Sequence, residues 1–330
     1  MGHDGPLVVA HRGACAYRPE HTLAAYELAV ELGADFIEPD LVPTQDGVLV
    51  ARHENEIGRT TDVEQHPEFA DRQVTKVIDG RRVSGWFTED FTLAELRTLR
   101  ATERVPQLRP DNTAYDGLFQ VPTLPEIIDL AKRHEVGLYP ETKHPTYFEG
   151  IGLGLEEPLV EALESAGFRG HRALVFIQSF ETGNLRKLSE LTELPLVQLI
   201  HHEGQPYDLQ ALSDPRTYRD LVSADGLADI AGYASAIGVS KELVVARDPD
   251  ERLGQPSELV AAAHGAGLQV HAYTFRPEKQ FLPADLREQS DEEAEVRPFL
   301  LAGVDGVIAD SPDAAVAART RLLGPERDRC

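Results

Sequence analysis

Short apolar runs recur along the chain, each too brief for a helix and bounded by polar or glycine-bearing turns. They predict strands over residues 7–10, 36–42, 48–52, 137–143, 174–179, 196–200, 268–274 and 306–309, with one more at either 225–230 or 237–239. Between many of them apolar positions repeat at helical spacing, predicting helices over 20–32, 124–134, 156–166, 181–191, 257–264 and 313–323. Gly33 closes the first helix. Pro19 and Pro312 stand where a first helical residue belongs, and Ser311 reads as a cap. Such alternation predicts a parallel sheet with helices outside it, and about eight units favour a (β/α)8 TIM barrel over an open doubly wound sheet. No G-x-G-x-x-G follows a strand, which weakens the dinucleotide-binding alternative.

Two stretches break the rhythm. Residues 55–120 are polar, rich in Thr, Asp and Arg, and contain GWFTEDFTLAELRTLRA; they read as a small helical insertion after the second strand unit. Residues 276–298 are highly charged and read as a rim loop. Neither carries the apolar content of a separate core, so 1–330 reads as a single domain.

Composition then narrows the partners. Hydrophobic residues make up 42% and charged residues 27%, which predicts a packed core. Against 32 Lys and Arg stand 56 Asp and Glu, a net charge of −24 that repels phosphate backbones and argues against nucleic acid. An anionic substrate would need local cations to reverse that field. Cys15 and Cys330 cannot build a disulfide framework. The opening MGHDGPLVVA has neither the basic region nor the apolar run of a leader, and no segment reaches the roughly 18 apolar residues of a membrane span. The expectation is a soluble chain without membrane insertion, cytoplasmic as written or secreted if a leader has been removed. Oligomeric state stays open.

In a barrel of this kind the active site lies at the C-terminal strand ends, so the polar residues there form one set. The first strand ends in His11-Arg12, the second carries Glu38 and Asp40 around Pro39, VLVARHE ends in His53-Glu54, the third carries Glu141 and Lys143, and the fourth ends in Gln178. Side chains two apart on a strand share a face, so Glu38 converges with Asp40 and Glu141 with Lys143. Three carboxylates in one cavity require a cation, and an all-oxygen set suits Mg²⁺ or Ca²⁺ better than zinc. Arg12 and Lys143 then remain to hold an anion, and His11 and His53 form an acid–base pair, the set that a phosphate ester needs. Singly, each has a plain structural reading: a satisfied core histidine, a solvated strand face, an ordinary ion pair. Glu20 reads as a first-turn helix residue that could support the site, Cys15 as packing without a basic partner beyond Arg12 and Arg18, and His201-His202-Glu203 as rim, since adjacent strand residues face opposite ways.

The set as a whole resembles the glycerophosphodiester phosphodiesterases. HRG followed by PEHT, Glu38-Pro39-Asp40, His53 followed by RTTDV, Glu141-Thr142-Lys143, FIQSF, VHAYTFR and GVDGVIADSPD occur in order over nearly the whole chain, most like the bacterial periplasmic or secreted branch. The resemblance implies a TIM barrel with a small helical insertion, and hydrolysis of glycerophosphodiesters to sn-glycerol 3-phosphate and an alcohol. It implies His11 and His53 as acid and base, Glu38, Asp40 and Glu141 on one divalent cation, Ca²⁺ or Mg²⁺, and Arg12 and Lys143 on the phosphate. Gln178, Glu20, Glu54, Phe180 and Tyr273 are further candidates around the substrate. One departure stands out: the usual His-Asp pair is His53-Glu54 here. Two other readings are a related barrel phospholipase D or lyase acting on lysolipids or sphingomyelin, and a non-catalytic barrel that binds polyol phosphates.

Overall fold

In the computed structural model, which describes residues 5–324 and so leaves Cys330 outside, the apolar runs become the staves of a barrel. The strands are β1 (Leu7–His11), β2 (Phe36–Glu38), β3 (Asp40–Pro43), β4 (Leu49–Ala51), β5 (Val74–Ile78), β6 (Arg81–Gly85), β7 (Gly137–Leu138) and β8 (Glu141–Thr142). There follow β9 (Ile177–Ser179), β10 (Leu196–Ile200), β11 (Ala236–Ser240), β12 (Val245–Arg247), β13 (Leu253–Pro256), β14 (Gln269–Phe275) and β15 (Gly306–Ala309). β2 and β3 are halves of one extended segment broken at Pro39, which has no N–H to give the ladder. Its carbonyl still accepts the Glu141 N–H at 2.9 Å, so register carries through the break. β7 and β8 form the matching stave. Parallel pairing then runs β8–β9–β10–β11–β14–β15, and β15 returns to β1, which pairs β2. Counting each broken stave once, this is the eight-stranded parallel ring of a TIM barrel.

Period-two alternation sorts the side chains into two cores. Val8, Ala10, Ile37, Leu138, Ile177 and Val307 point outward beneath the helices. Val9, Phe36, Tyr139 and Ile308 point inward with Phe176, and form a small apolar floor inside the ring. Two residues further along those strands stand His11, Glu38, Glu141, Asp310 and Gln178. The same alternation that fills the floor therefore lifts a layer of polar groups to the mouth.

Several expected elements shift. Residues 225–230 lie in a helix, Ala224–Ile230, because Ser223 caps it by accepting the Gly226 N–H; the strand is β11. The first helix is Leu23–Glu31, with Thr22 as cap, so Pro19 and Glu20 precede it rather than open it. Pro312 does occupy the first turn of Pro312–Leu323. β4 runs antiparallel to β3 and is no barrel stave; it folds back toward the mouth as a hairpin arm. The insertion is not simply helical. It holds the β5–β6 hairpin, turned at Asp79-Gly80 with φ of 47° and 74°, as a type I′ turn demands. In the 276–298 stretch a helix, Glu292–Leu301, takes over where Asp291 caps the Ala294 N–H.

Immediately after β1 the backbone turns left-handed, with φ of 58° at Arg12 and 84° at Gly13. A β-carbon on Gly13 would sit 2.7 Å from the Ala25 carbonyl carbon, whose oxygen accepts the Ala14 N–H at 2.9 Å. Gly13→Ala is therefore expected to cost on the order of 1–3 kcal/mol through strain and lost docking of the first helix. Urea unfolding measures this; a change within about 0.5 kcal/mol, the scale of a neutral surface substitution, would reject the close-approach argument.

Candidate active site

Strand register brings the acids together. Glu38 lies beside His11, Asp40 opposite Glu141, and Glu141 opposite Gln178, each as paired neighbours on adjacent staves. One oxygen from each of Glu38, Asp40 and Glu141 lies within 4.8 Å of the others, and all three residues are buried. Burial and the neighbouring carboxylates push Glu38 and Glu141 up from the ordinary range. Asp40 goes the other way: against the cost of burial, Lys143 and His21 hold it well below. Its Oδ1 is buried without a hydrogen-bond partner. Mutual repulsion, an all-oxygen donor set and an orphaned carboxylate oxygen together fit a hard divalent cation.

Cations ring this trio. A continuing strand would send Arg12 to the outer face, but its left-handed φ turns it back, so His11 and Arg12 both reach the mouth. The Arg12 backbone N–H donates to Glu38 Oε2 at 2.9 Å, its Nη1 to Glu20 Oε2 at 3.0 Å, and its Nε lies 3.5 Å from Asp40 Oδ2. Lys143 Nζ donates to Glu141 Oε1 at 2.7 Å and sits 5.9 Å from the Phe180 ring centre. Phe180 packs edge-on against Tyr273 at 6.1 Å, and Tyr273 donates to the Ile200 carbonyl. Gln178 Nε2 donates to Glu38 Oε1 at 2.7 Å.

Each histidine is held by an acid. His11 Nδ1 lies 2.5 Å from Asp310 Oδ1, while its Nε2 faces Glu38 Oε2 at 4.0 Å. His53 Nδ1 lies 2.7 Å from Glu54 Oε1, with 29% of its side chain exposed. It arrives on the β4 return arm, whose Arg52 N–H bonds the Asp40 carbonyl, so it stands level with the acids although β4 is no stave. Burial, then Arg12, pulls the His11 pKa down to about 4. Burial and the cations Arg12 and Lys143 lower His53 as well.

The predicted residues thus gather at one mouth, joined by others that sequence reasoning passed over. His21, in PEHT, bridges Tyr26 OH at 2.8 Å and Asp40 Oδ2 at 2.9 Å. Asp310, two past the inward Ile308, was legible from alternation alone. Arg104 and Arg109, in the insertion, had no local signal. Glu20 pairs with Arg12 and Arg104 instead of starting a helix. Cys15 does have a further basic neighbour, Arg109, yet burial raises its thiol pKa, so it stays protonated. His201 and His202 do not oppose each other: β10 has ended at Ile200, and their rings lie 4.2 Å apart. Among the described residues no helix is long and apolar enough to cross a membrane.

Known proteins resemble this chain along most of its length. A glycerophosphodiester phosphodiesterase of Arabidopsis thaliana is 38% identical across 92% of this chain and 83% of its own length. One from Bacillus subtilis is 31% identical across 95% and 86%. The fold is shared with a solved phosphodiesterase of Oleispira antarctica in complex with the product sn-glycerol-3-phosphate, at 20% identity, a TM-score of 0.61, and coverage of 95% and 96%. The model of the glycerophosphoryl diester phosphodiesterase family matches residues 11–314, from His11 to the start of the last helix, and the chain belongs to that family.

Proposed function

We propose that this chain hydrolyses small glycerophosphodiesters to sn-glycerol 3-phosphate and an alcohol, with His11 and His53 as acid and base. The carrying observation is the buried convergence of Glu38, Asp40 and Glu141 beside His11. These three carboxylates would hold one calcium or magnesium ion. When bound, such an ion supplies positive charge against the phosphate oxygens.

Arg12 and Lys143 add two fixed cations on either side of the acids, so the phosphodiester meets positive charge in a chain that is acidic overall. An ionised carboxylate can only accept, so Asp310 and Glu54 place the proton of each neutral imidazole on Nδ1 and leave Nε2 to the substrate. The neutral histidine takes the proton of the attacking oxygen on its Nε2. The one acting as acid enters the step as imidazolium, with a second proton taken from solvent onto Nε2 beside the phosphate charge, and gives that proton to the departing alcohol oxygen. Phe180 and Tyr273 form an aromatic wall beside Lys143 that limits the space for the glycerol or the alcohol.

Calorimetric titration with Ca²⁺ and with Mg²⁺ tests the cation site. Asp40→Asn and Glu141→Gln should each weaken binding by at least about tenfold, the size expected when a charged ligand is lost; unchanged affinity in both would place the cation elsewhere. His11→Ala and His53→Ala should each lower kcat by about 10²–10⁴-fold while cation binding persists. Native turnover in either variant removes that residue from the mechanism. Across a panel of deacylated phospholipids, chelation should abolish release of glycerol 3-phosphate. Choline release from lysolipid or sphingomyelin without turnover of deacylated substrates would contradict the assignment.

A further inference from the structure

Two arginines, five positions apart in the insertion, each grip the acid behind one histidine. Arg104 Nη1 donates to Glu54 Oε1 at 3.0 Å and its Nη2 lies 2.7 Å from Oε2, while Glu54 Oε1 also meets His53 Nδ1. Arg109 Nη2 donates to Asp310 Oδ2, and the other Asp310 oxygen meets His11 Nδ1. Both guanidiniums are themselves anchored. Arg104 Nε and Nη2 reach Glu20 at 2.7 and 2.6 Å; Arg109 Nε reaches Glu278 at 2.6 Å and its Nη1 the Cys15 carbonyl at 2.8 Å.

We infer that Arg104 and Arg109 are positioning residues for the reaction, each fixing the carboxylate that sets the tautomer and direction of one histidine. The inference rests on the acid–base reading above and extends it to the insertion. A carboxylate held on a single hydrogen bond to imidazole can rotate about its own side chain, and the ring follows. A planar guanidinium fork, pinned at its far side by a second acid, removes that freedom at both ends. Lysine, a single charge on a flexible stem, lacks the planar fork that fixes the direction of each acid. The fork also accounts for Glu54 in place of aspartate. Beside His53 it bonds imidazole and arginine at once, with 38% of its side chain exposed, where the extra methylene extends its reach toward Arg104.

The insertion is thereby part of the catalytic geometry. The segment that carries Arg104 and Arg109 touches the loop after β1 through Cys15, the return arm after β4 through Glu54, and the ends of β14 and β15 through Glu278 and Asp310. One short stretch of chain ties together the two histidines, which arrive from different arms of the barrel.

Steady-state kinetics and ¹⁵N spectra of the imidazoles test this on the full chain, with His11→Ala and His53→Ala as references. Arg104→Ala and Arg109→Ala should each lower kcat by about 10–100-fold, with KM changed by less than about threefold. Added guanidinium should restore part of the lost kcat. In the metal-free protein, Arg104→Ala should shift the ¹⁵N resonances of His53 and leave those of His11, and Arg109→Ala the reverse. Should an alanine variant fail to fold, Arg104→Lys and Arg109→Lys carry the same test, since they keep charge and lose the fork. Native kcat and native imidazole spectra in folded Ala or Lys variants would overturn the inference. So would a loss that tracks only thermal stability and resists guanidinium. If instead the two histidine variants turn over normally, the acid–base reading itself fails, a distinct result.

Discussion

Three carboxylates pressed into one buried space repel one another, and nothing in the chemistry of Glu38, Asp40 and Glu141 alone would keep them together. The barrel supplies the constraint. Parallel pairing of neighbouring staves sets Asp40 opposite Glu141 and Glu38 beside His11, and the apolar floor beneath makes any change of register costly. The acids are then surrounded by cations rather than separated, with Lys143 on Glu141 and Arg12 near Asp40, while the buried imidazole of His21 bonds Asp40 from behind. Such a site stores unfavourable electrostatics that a divalent ion relieves. That is a general way to make binding strong and specific for charge.

The rest of the architecture serves to aim groups at this point. Pro39 breaks a strand without losing its register, and Asp40 beyond it keeps the inward face of Glu38. The left-handed pair Arg12-Gly13 turns a side chain inward that strand alternation would have sent out. The β4 arm folds back so that a segment outside the ring brings His53 level with the acids. Each device is a local departure from regular strand geometry, and each sits at the mouth, where a departure does not disturb the packed floor.

Much of this was legible in the chain, some of it unread. Alternation identifies the inward face of β1 from Val9 to His11, and the same step from Ile308 reaches Asp310. The Asp-Gly pair at 79–80 is a strong hairpin signal, and its neighbours did form β5 and β6. By contrast, DGLADI carries apolar positions that suit either a strand or a helix; only the Ser223 cap and the packing of β11 decide. His201 and His202 followed no alternation rule because the strand had ended one residue earlier.

By itself the sequence determined what depends on short-range stereochemistry: the alternation of strands and helices, the period-two faces, and the choice of acids, histidines and cations along them. Only the tertiary structure decided which of those groups would meet. His11 and Asp310 are 299 residues apart and touch because the ring closes β15 onto β1. Arg104 and Glu54 meet because a polar insertion folds back over the mouth. Those pairings follow from long-range packing and charge, whose energies are spread over the whole barrel, so no local stretch of residues announces them.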